Sequence, residues 1–272
     1  MKLSVFYGHV KEAAEQQGVS IGEMLDYVKS IGVDYIEVIR DFDMLEEGIT
    51  AKEMRDLLAA HDLKVSNVCG YFDFAVKPDD FRGFGQIYDA LTMGCHSIMP
   101  IPGLLTGNEE TKEQEIRQMI EGEKVVVAKA AELGVQCVIE PYDNVLSPVM
   151  SAEGMRYFAD NVPNLKFALD SGNLDFCCEK IEDEYPRMKD KIAHVHLKDR
   201  SETPDGIQKP GHRTDGSEIY GCAVGDGVVN VKWFVRKMVE SGYDGCYAIE
   251  HFGMPDQKKA ITDSVRNIKA ML

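Results

Sequence analysis

Short apolar runs alternate with longer amphipathic segments from one end of the chain to the other, and the alternation recurs eight times. The apolar runs lie at 3–7, 34–39, 63–69, 95–101, 135–140, 165–170, 191–198 and 246–251. Strands that alternate with helices pair in parallel through right-handed crossovers, and eight such units close a barrel. The pattern therefore predicts an α/β protein, a (β/α)8 TIM barrel built as a single domain over residues 1–272.

The amphipathic segments have apolar residues at helical spacing. They lie within 20–32, 50–62, 78–93, 109–133, 151–161, 174–190, 231–242 and 255–272. Thr50 and Glu53 form a capping-box pattern, which indicates that a helix begins there. The polar, glycine-rich stretch 200–228 is longer than the usual connection between a strand and a helix, and long loops of this kind are often functional lids.

Charge and cysteine content narrow the class of protein. The formal net charge is −16, which repels a phosphate backbone, so we expect no nucleic-acid partner. No stretch has the roughly 20 apolar residues that span a bilayer, and the N-terminal residues lack a signal-peptide pattern. The seven cysteines are scattered without a CxxC motif, which is typical of reduced thiols. We therefore expect a cytoplasmic protein without a membrane partner.

Four consecutive predicted strands deliver a metal-competent side chain at the same end. Glu140, Asp170 and Glu250 each end an apolar run, and His196 lies near the end of another. In a TIM barrel the carboxyl ends of the strands carry the chemistry. Buried carboxylates are costly and repel one another, whereas a divalent cation between them removes both penalties. Asp170 alone is equally consistent with a helix cap, but four residues in register favour a metal site.

Alternation along the seventh strand separates the roles of its two histidines. In HVHLKD at 194–199, His194, His196 and Lys198 share one face because strand side chains alternate. His196 is the expected ligand, and His194 is expected deeper in the barrel as a hydrogen-bonding neighbour of the site. Three carboxylates and one imidazole form a hard ligand set. This set favours Mn²⁺, Mg²⁺ or Co²⁺, with Zn²⁺ also possible.

These motifs together resemble the xylose isomerase-like TIM barrel superfamily. The resemblance rests on Glu140, on LDSGN around Asp170, on HVHLKD, on IEHF around Glu250 and on GDG at 225–227. It covers the whole chain and is strongest over 135–252. It implies that Glu140, Asp170, His196 and Glu250 bind one divalent metal, for which we take Mn²⁺ first. It also implies that Glu140 and Glu250 act as an acid/base pair.

Five further residues are candidates for substrate binding. Tyr142 and Asn173 follow strands five and six, and His9 follows the first strand. Many superfamily members carry a histidine where this chain has Asn173, and asparagine can bind a hydroxyl group but cannot take up a proton. Lys198 could steady a substrate oxygen or an enolate, or could form a salt bridge with Asp199 or another acid at the rim. The fifth candidate, Arg200, lies two residues earlier than the substrate-binding arginine of the epimerases.

The resemblance implies a metal-dependent sugar isomerase or epimerase. Such an enzyme acts on a small polyhydroxylated carbonyl compound, a sugar or cyclitol, by proton transfer through an enediolate. HLKDR at 196–200 is similar to the inosose dehydratase branch, so a dehydratase or other lyase is the first alternative. A non-catalytic sugar-binding barrel is the second. The family also suggests a homo-oligomer.

Overall fold

Eight parallel strands close into a barrel in the computed structural model, which describes residues 1–272. In chain order the strands are β1 (Lys2–Phe6), β2 (Tyr35–Ile39), β3 (Lys64–Tyr71), β4 (Ser97–Ile101), β5 (Gln136–Ile139), β6 (Lys166–Asp170), β7 (Ile192–Leu197), β8 (Arg200–Ser201), β9 (Gly211–His212), β10 (Glu218–Gly221) and β11 (Cys246–Ile249). The barrel contains β1 to β7 and β11, and β1 pairs with both β2 and β11. The predicted (β/α)8 fold is confirmed, with barrel strand ends within two residues of those expected.

The helices form the outer layer. They are α1 (Tyr7–Gln17), α2 (Ile21–Ser30), α3 (Ala51–Ala60), α4 (Arg82–Thr92), α5 (Lys112–Glu132), α6 (Ala152–Asn161), α7 (Asn173–Phe176), α8 (Ile181–Met188), α9 (Val231–Glu240) and α10 (Gln257–Met271). The predicted capping box exists: Thr50 Oγ1 accepts the Glu53 N–H, and the Glu53 carboxylate accepts the Thr50 N–H. None of these helices combines the length and apolarity needed to cross a membrane.

Three helical features differ from the sequence prediction. Helix α1 was not expected, because its buried face mixes Tyr7 and Val10 with the polar His9 and the small Ala13 and Ala14, which gives a weak apolar pattern. The segment 174–190 contains two helices, α7 and α8, separated by a turn in which Cys178 adopts a left-handed conformation. A helical turn at Arg40–Leu45, with π-type hydrogen bonding, also follows β2 directly.

The apolar core lies in two places. The larger part fills the space between strands and helices, and a smaller cluster of eight buried residues fills the barrel interior. The inner cluster includes Phe6, Ile39, Cys69, Met99 and Ile101. These residues come from the carboxyl-terminal halves of β1 to β4, so the barrel interior is apolar at its mouth on that side.

The segment 200–228 is a folded excursion over the barrel mouth. It contains the three short strands β8, β9 and β10, which pair antiparallel in the order β8–β10–β9. Asp199 fixes both ends of the excursion, because its carboxylate accepts the backbone N–H groups of Arg200, Gly225, Gly227 and Val229. Gly227 is required there, since a Cβ would lie 2.2 Å from the Arg200 carbonyl oxygen.

Candidate metal centre and active-site cavity

The four residues expected to hold a metal come together at the carboxyl ends of their strands. One ligand atom from each of Glu140, Asp170, His196 and Glu250 lies within 4.8 Å of the others, and all four residues are buried. His196 Nδ1 lies 2.8 Å from Glu140 Oε2 and 3.1 Å from Glu250 Oε2. Parallel strands in register bring these side chains together although they are far apart in sequence.

Asp170 binds the backbone at the start of α7 and is also a candidate ligand. Its Oδ1 accepts the backbone N–H groups of Gly172 and Asn173, at 2.7 and 2.5 Å. Its Oδ2 is buried without a hydrogen-bond partner. Burial raises the pKa of Asp170 to about 8, and the Glu250 charge acts in the same direction. The two interpretations of this residue are therefore compatible, because each uses a different oxygen.

Glu37 forms a hydrogen bond with the ring nitrogen of His196 that faces away from the cluster. Glu37 lies in the middle of β2 and is fully buried, and its Oε1 is 3.0 Å from His196 Nε2. Its Oε2 is 2.8 Å from His194 Nε2, so one carboxylate binds both histidines. His194 thus has the deeper position that the sequence predicted. Metal-binding histidines commonly have such a carboxylate on their second nitrogen.

Glu37 was not among the site residues predicted from the sequence. A signal was present, because Glu37 is a single carboxylate inside the apolar strand YIEVI. Asn67 Nδ2 also donates to Glu37 Oε1, at 2.8 Å. Glu37, His194 and His196 form a second close group of possible ligands. No side-chain atom of this second group is buried without a partner, whereas the first group has two such oxygens, so the first group is the better candidate metal site.

The two candidate acid/base carboxylates have different surroundings. Burial raises the pKa of Glu140 to about 6. Burial acts in the same direction on Glu250, but Lys198 and His196 outweigh it and hold the pKa of Glu250 below its usual range. Lys198 Nζ lies 2.6 Å from Glu250 Oε1. Among the protein groups alone, Glu140 therefore accepts a proton more readily than Glu250.

Lys198 and Arg200 are both paired with acids. Besides Glu250, Lys198 Nζ faces Asp143 Oδ2 at 3.6 Å, and Arg200 Nη2 lies 2.5 Å from the same oxygen. Lys198 thus has the salt-bridge partners considered from the sequence, except that Asp199 is not among them. Arg200 Nη2 also donates to Asn173 Oδ1 at 3.3 Å. This network joins strands β5, β6, β7 and β11 at the mouth.

A cavity of about 430 Å³ opens above the cluster. Glu140, Tyr142, Lys198, Arg200 and Glu250 border it, as does Asn173. The three-stranded excursion covers one side of the cavity through residues such as Lys209 and Tyr220. The residues predicted to contact substrate therefore share one cavity, with a single exception.

The exception is His9, which does not border the cavity. The predicted position of His9 at the mouth of the barrel is therefore wrong. His9 is buried within α1, and its Nε2 accepts the backbone N–H of His251 at 3.1 Å. Its ring stacks on His251 and contacts the edge of Phe252. The unexpected helix α1 begins directly after β1 and turns His9 toward α10 instead of the barrel mouth. From the same region, Phe6 does line the cavity.

The cluster has the chemical character of a divalent-cation site. Asp170 Oδ2 and Glu250 Oε2 are buried and accept no hydrogen bond, which is a costly arrangement for two acidic oxygens. His196 Nδ1 lies 3.1 Å from Glu250 Oε2 but is not aligned to donate to it. Three carboxylates with one imidazole suit hard or borderline divalent metals. Glu37 supplies the outer partner that fixes the imidazole. The residues present therefore fit a metal ion.

The fold and the site define a (β/α)8 barrel with a candidate metal centre at its mouth. The chain belongs to the xylose isomerase-like TIM barrel family, whose model matches residues 25–271. No curated protein matches the sequence.

Solved structures with the same fold have low sequence identity to this chain. The probable 3-DHS dehydratase AsbF from Bacillus anthracis has a TM-score of 0.73 and 16% identity, covering 99% of both chains. L-ribulose 3-epimerase also has a TM-score of 0.73, with 14% identity over 100% of this chain and 95% of the other. A xylose isomerase-like TIM barrel protein from Mycobacterium smegmatis in complex with magnesium has a TM-score of 0.64, with 17% identity over 92% and 87%.

Proposed function

We propose that the protein is a divalent-metal-dependent sugar isomerase or epimerase that acts on a small polyhydroxylated carbonyl compound. The observation that carries this proposal is the convergence of Glu140, Asp170, His196 and Glu250 below one cavity, with two of their oxygens unpaired. A bound metal would polarise a carbonyl group and so acidify the neighbouring C–H bond. Mn²⁺ is the proposed ion, and the magnesium complex of the Mycobacterium smegmatis relative supports a divalent cation.

Glu140 and Glu250 carry the proton transfers in this proposal. Both border the cavity and come from separate strands, so each can face a substrate carbon from its own side. Glu250, kept ionised by Lys198, removes the proton next to the carbonyl group. Glu140, whose pKa is raised toward neutrality, returns a proton to the neighbouring position or to the opposite face. Tyr142 and Asn173 would bind substrate hydroxyl groups.

A lyase is the second candidate, and Lys198 is the observation that favours it. Its ammonium group is buried, borders the cavity and touches Glu250. An ammonium group beside the base could protonate a departing hydroxyl group after the same first step, which would give dehydration. The AsbF structure, a probable dehydratase, shares the fold.

Proton NMR in D₂O tests these proposals. The Mn²⁺-loaded protein is incubated with free and phosphorylated ketoses and with keto-inositols. Deuterium at the carbon next to the carbonyl group supports the acid/base pair. An isomeric product then indicates an isomerase or epimerase, and an unsaturated product indicates a lyase.

Two variants control this experiment. Glu250→Gln should abolish exchange while sugar binding persists. Glu132→Gln, at an exposed position on α5, should leave exchange unchanged. Normal metal and sugar binding without exchange by the native protein or by Glu250→Gln would favour a non-catalytic sugar-binding barrel.

A further inference from the structure

The cavity above the candidate metal centre has two chemically different sides. Every charged residue that borders it lies on β5 to β11 or on the segments that follow them. The side formed by β1 to β4 has no charged group. It consists of Phe6, Ile39, Cys69, Tyr71, Met99 and Ile101.

This apolar side is formed by paired strands of the barrel and by its inner apolar cluster. Five of its six residues are members of the inner apolar cluster and are at most 7% exposed, and Tyr71 packs against the cluster. They come from neighbouring strands in register, with Cys69 paired to Met99 and Tyr71 paired to Ile101. The surface is therefore continuous and held by the barrel backbone.

The Tyr71 hydroxyl group lies beside that of Tyr142, and two other polar groups near this surface are already paired. Cys69 Sγ donates to Glu37 Oε1 at 3.3 Å, and the Tyr71 backbone N–H donates to Asp41 Oδ2 at 2.8 Å. A substrate hydroxyl group placed against this surface would find few free partners, and burying an unpaired hydroxyl group is unfavourable. An apolar group there would instead gain from leaving water.

The size of the cavity agrees with a ligand that has two parts. Its volume is about 430 Å³, and pockets that hold drug-sized ligands span about 300–1,000 Å³. A polyhydroxylated part has hydrogen-bonding partners on the side of Tyr142, Asn173, Lys198 and Glu250. The apolar side then requires a second part of different chemistry.

We propose that the substrate is a sugar or cyclitol that carries an apolar substituent, and that the β1–β4 side of the cavity binds this substituent. The inference rests on the proposed function, because the position of the polyhydroxylated carbonyl part is set by the candidate metal centre. It assigns the specificity of the site to Met99 and Ile101, two apolar residues of one strand, in addition to the polar residues opposite them.

Calorimetric titration of the Mn²⁺-loaded protein tests the apolar subsite without requiring turnover. The probes are methyl and phenyl β-D-glucopyranoside and the matching galactopyranosides. We expect the phenyl member of at least one pair to bind more than tenfold more tightly than the methyl member. Equal affinity within both pairs, or no binding by any of the four compounds, would overturn the inference.

Matched variants assign the preference to this surface. Ile101→Thr should reduce the phenyl preference to less than threefold and leave methyl glycoside affinity unchanged. Ile98→Thr is the control, because Ile98 lies on the same strand but packs in the outer core. An unchanged preference in folded Ile101→Thr, confirmed by thermal melting, would contradict the proposed location.

Exchange measurements separate the two proposals. Methyl and phenyl 3-keto-β-D-glucopyranosides are incubated with the protein in D₂O and followed by NMR. A binding preference for phenyl glycosides without any hydrogen–deuterium exchange in the keto-glycosides would support the apolar subsite and count against the isomerase proposal. Equal exchange of both keto-glycosides, with equal affinities, would support the chemistry and refute the apolar subsite.

Discussion

Replacing Glu37 by glutamine tests whether a residue outside the candidate ligand set controls the candidate metal centre. Glu37 is fully buried and accepts hydrogen bonds from two histidine nitrogens, at 2.8 and 3.0 Å, and from Asn67 at 2.8 Å. Burial opposes its charge, but His196 and His194 outweigh this effect and hold the pKa of Glu37 well below its usual range. A glutamine keeps the shape and removes the charge.

The expected effect of Glu37→Gln has two parts. The amide nitrogen of the introduced glutamine would face a histidine N–H donor, so one of the two histidines loses its acceptor. Removing an outer carboxylate partner of a metal-binding histidine weakens metal affinity by about 10- to 100-fold. Breaking a buried charged pair also costs about 3–5 kcal/mol of the free energy of unfolding.

Isothermal titration with Mn²⁺ measures the affinity, and chemical denaturation of the metal-free protein measures the stability. Glu123→Gln is the matched control, because Glu123 is another fully buried glutamate, lies on α5 and has no hydrogen-bond partner. It should leave Mn²⁺ affinity within twofold of the native value. An affinity within twofold in Glu37→Gln, or an equal loss in Glu123→Gln, would refute the reasoning.

Three further predictions follow from other parts of the molecule. Glu123→Met should raise the free energy of unfolding at pH 7 by about 1–3 kcal/mol, because it removes a buried carboxyl group without a partner; an unchanged or lower denaturation midpoint would contradict this. Asp199→Ala should lower the free energy of unfolding by about 3 kcal/mol, because four backbone N–H groups lose their acceptor. It should also speed proteolysis within residues 200–228. An unchanged cleavage rate would show that the excursion does not depend on Asp199. In the folded protein the pKa of Asp170 is raised to about 8, whereas in the unfolded chain it is about 4. The protonated Asp170 therefore adds most to the free energy of unfolding below about pH 4, and this contribution is lost as the pH rises toward 8. In EDTA the melting temperature should therefore fall as the pH rises from about 5 to about 8, and saturating Mn²⁺ should reduce this slope; parallel slopes with and without Mn²⁺ would count against Asp170 as a ligand.

The fold and the grouping of the four candidate ligands could be predicted because both depend on repeating local patterns. Eight apolar runs separated by amphipathic segments specify a parallel barrel, since a parallel strand needs a crossover helix. Parallel strands place all their carboxyl ends at one mouth. Glu140, Asp170, His196 and Glu250 could therefore be grouped from their position at the ends of those runs, without knowledge of any contact.

The parts that the sequence analysis missed depend on contacts between distant residues. Glu37 and His196 are 159 residues apart, and only the closed barrel shows that they share a hydrogen bond. The buried face of helix α1 mixes large, polar and small residues and so gives a weak apolar pattern, which led to the wrong position for His9. The partners of Arg200 depended on where the chain turns above the mouth.

The sequence alone determined which side chains reach the barrel mouth, because strand alternation and parallel pairing are local rules. Only the tertiary structure decided how these side chains pair. It placed Lys198 against Glu250, divided the oxygens of Asp170 between the backbone at the start of α7 and the cluster, and left one side of the cavity apolar. The physical reason is that hydrogen bonds, charge pairs and cavity shape depend on ångström-scale distances between strands, which periodicity in a sequence does not encode.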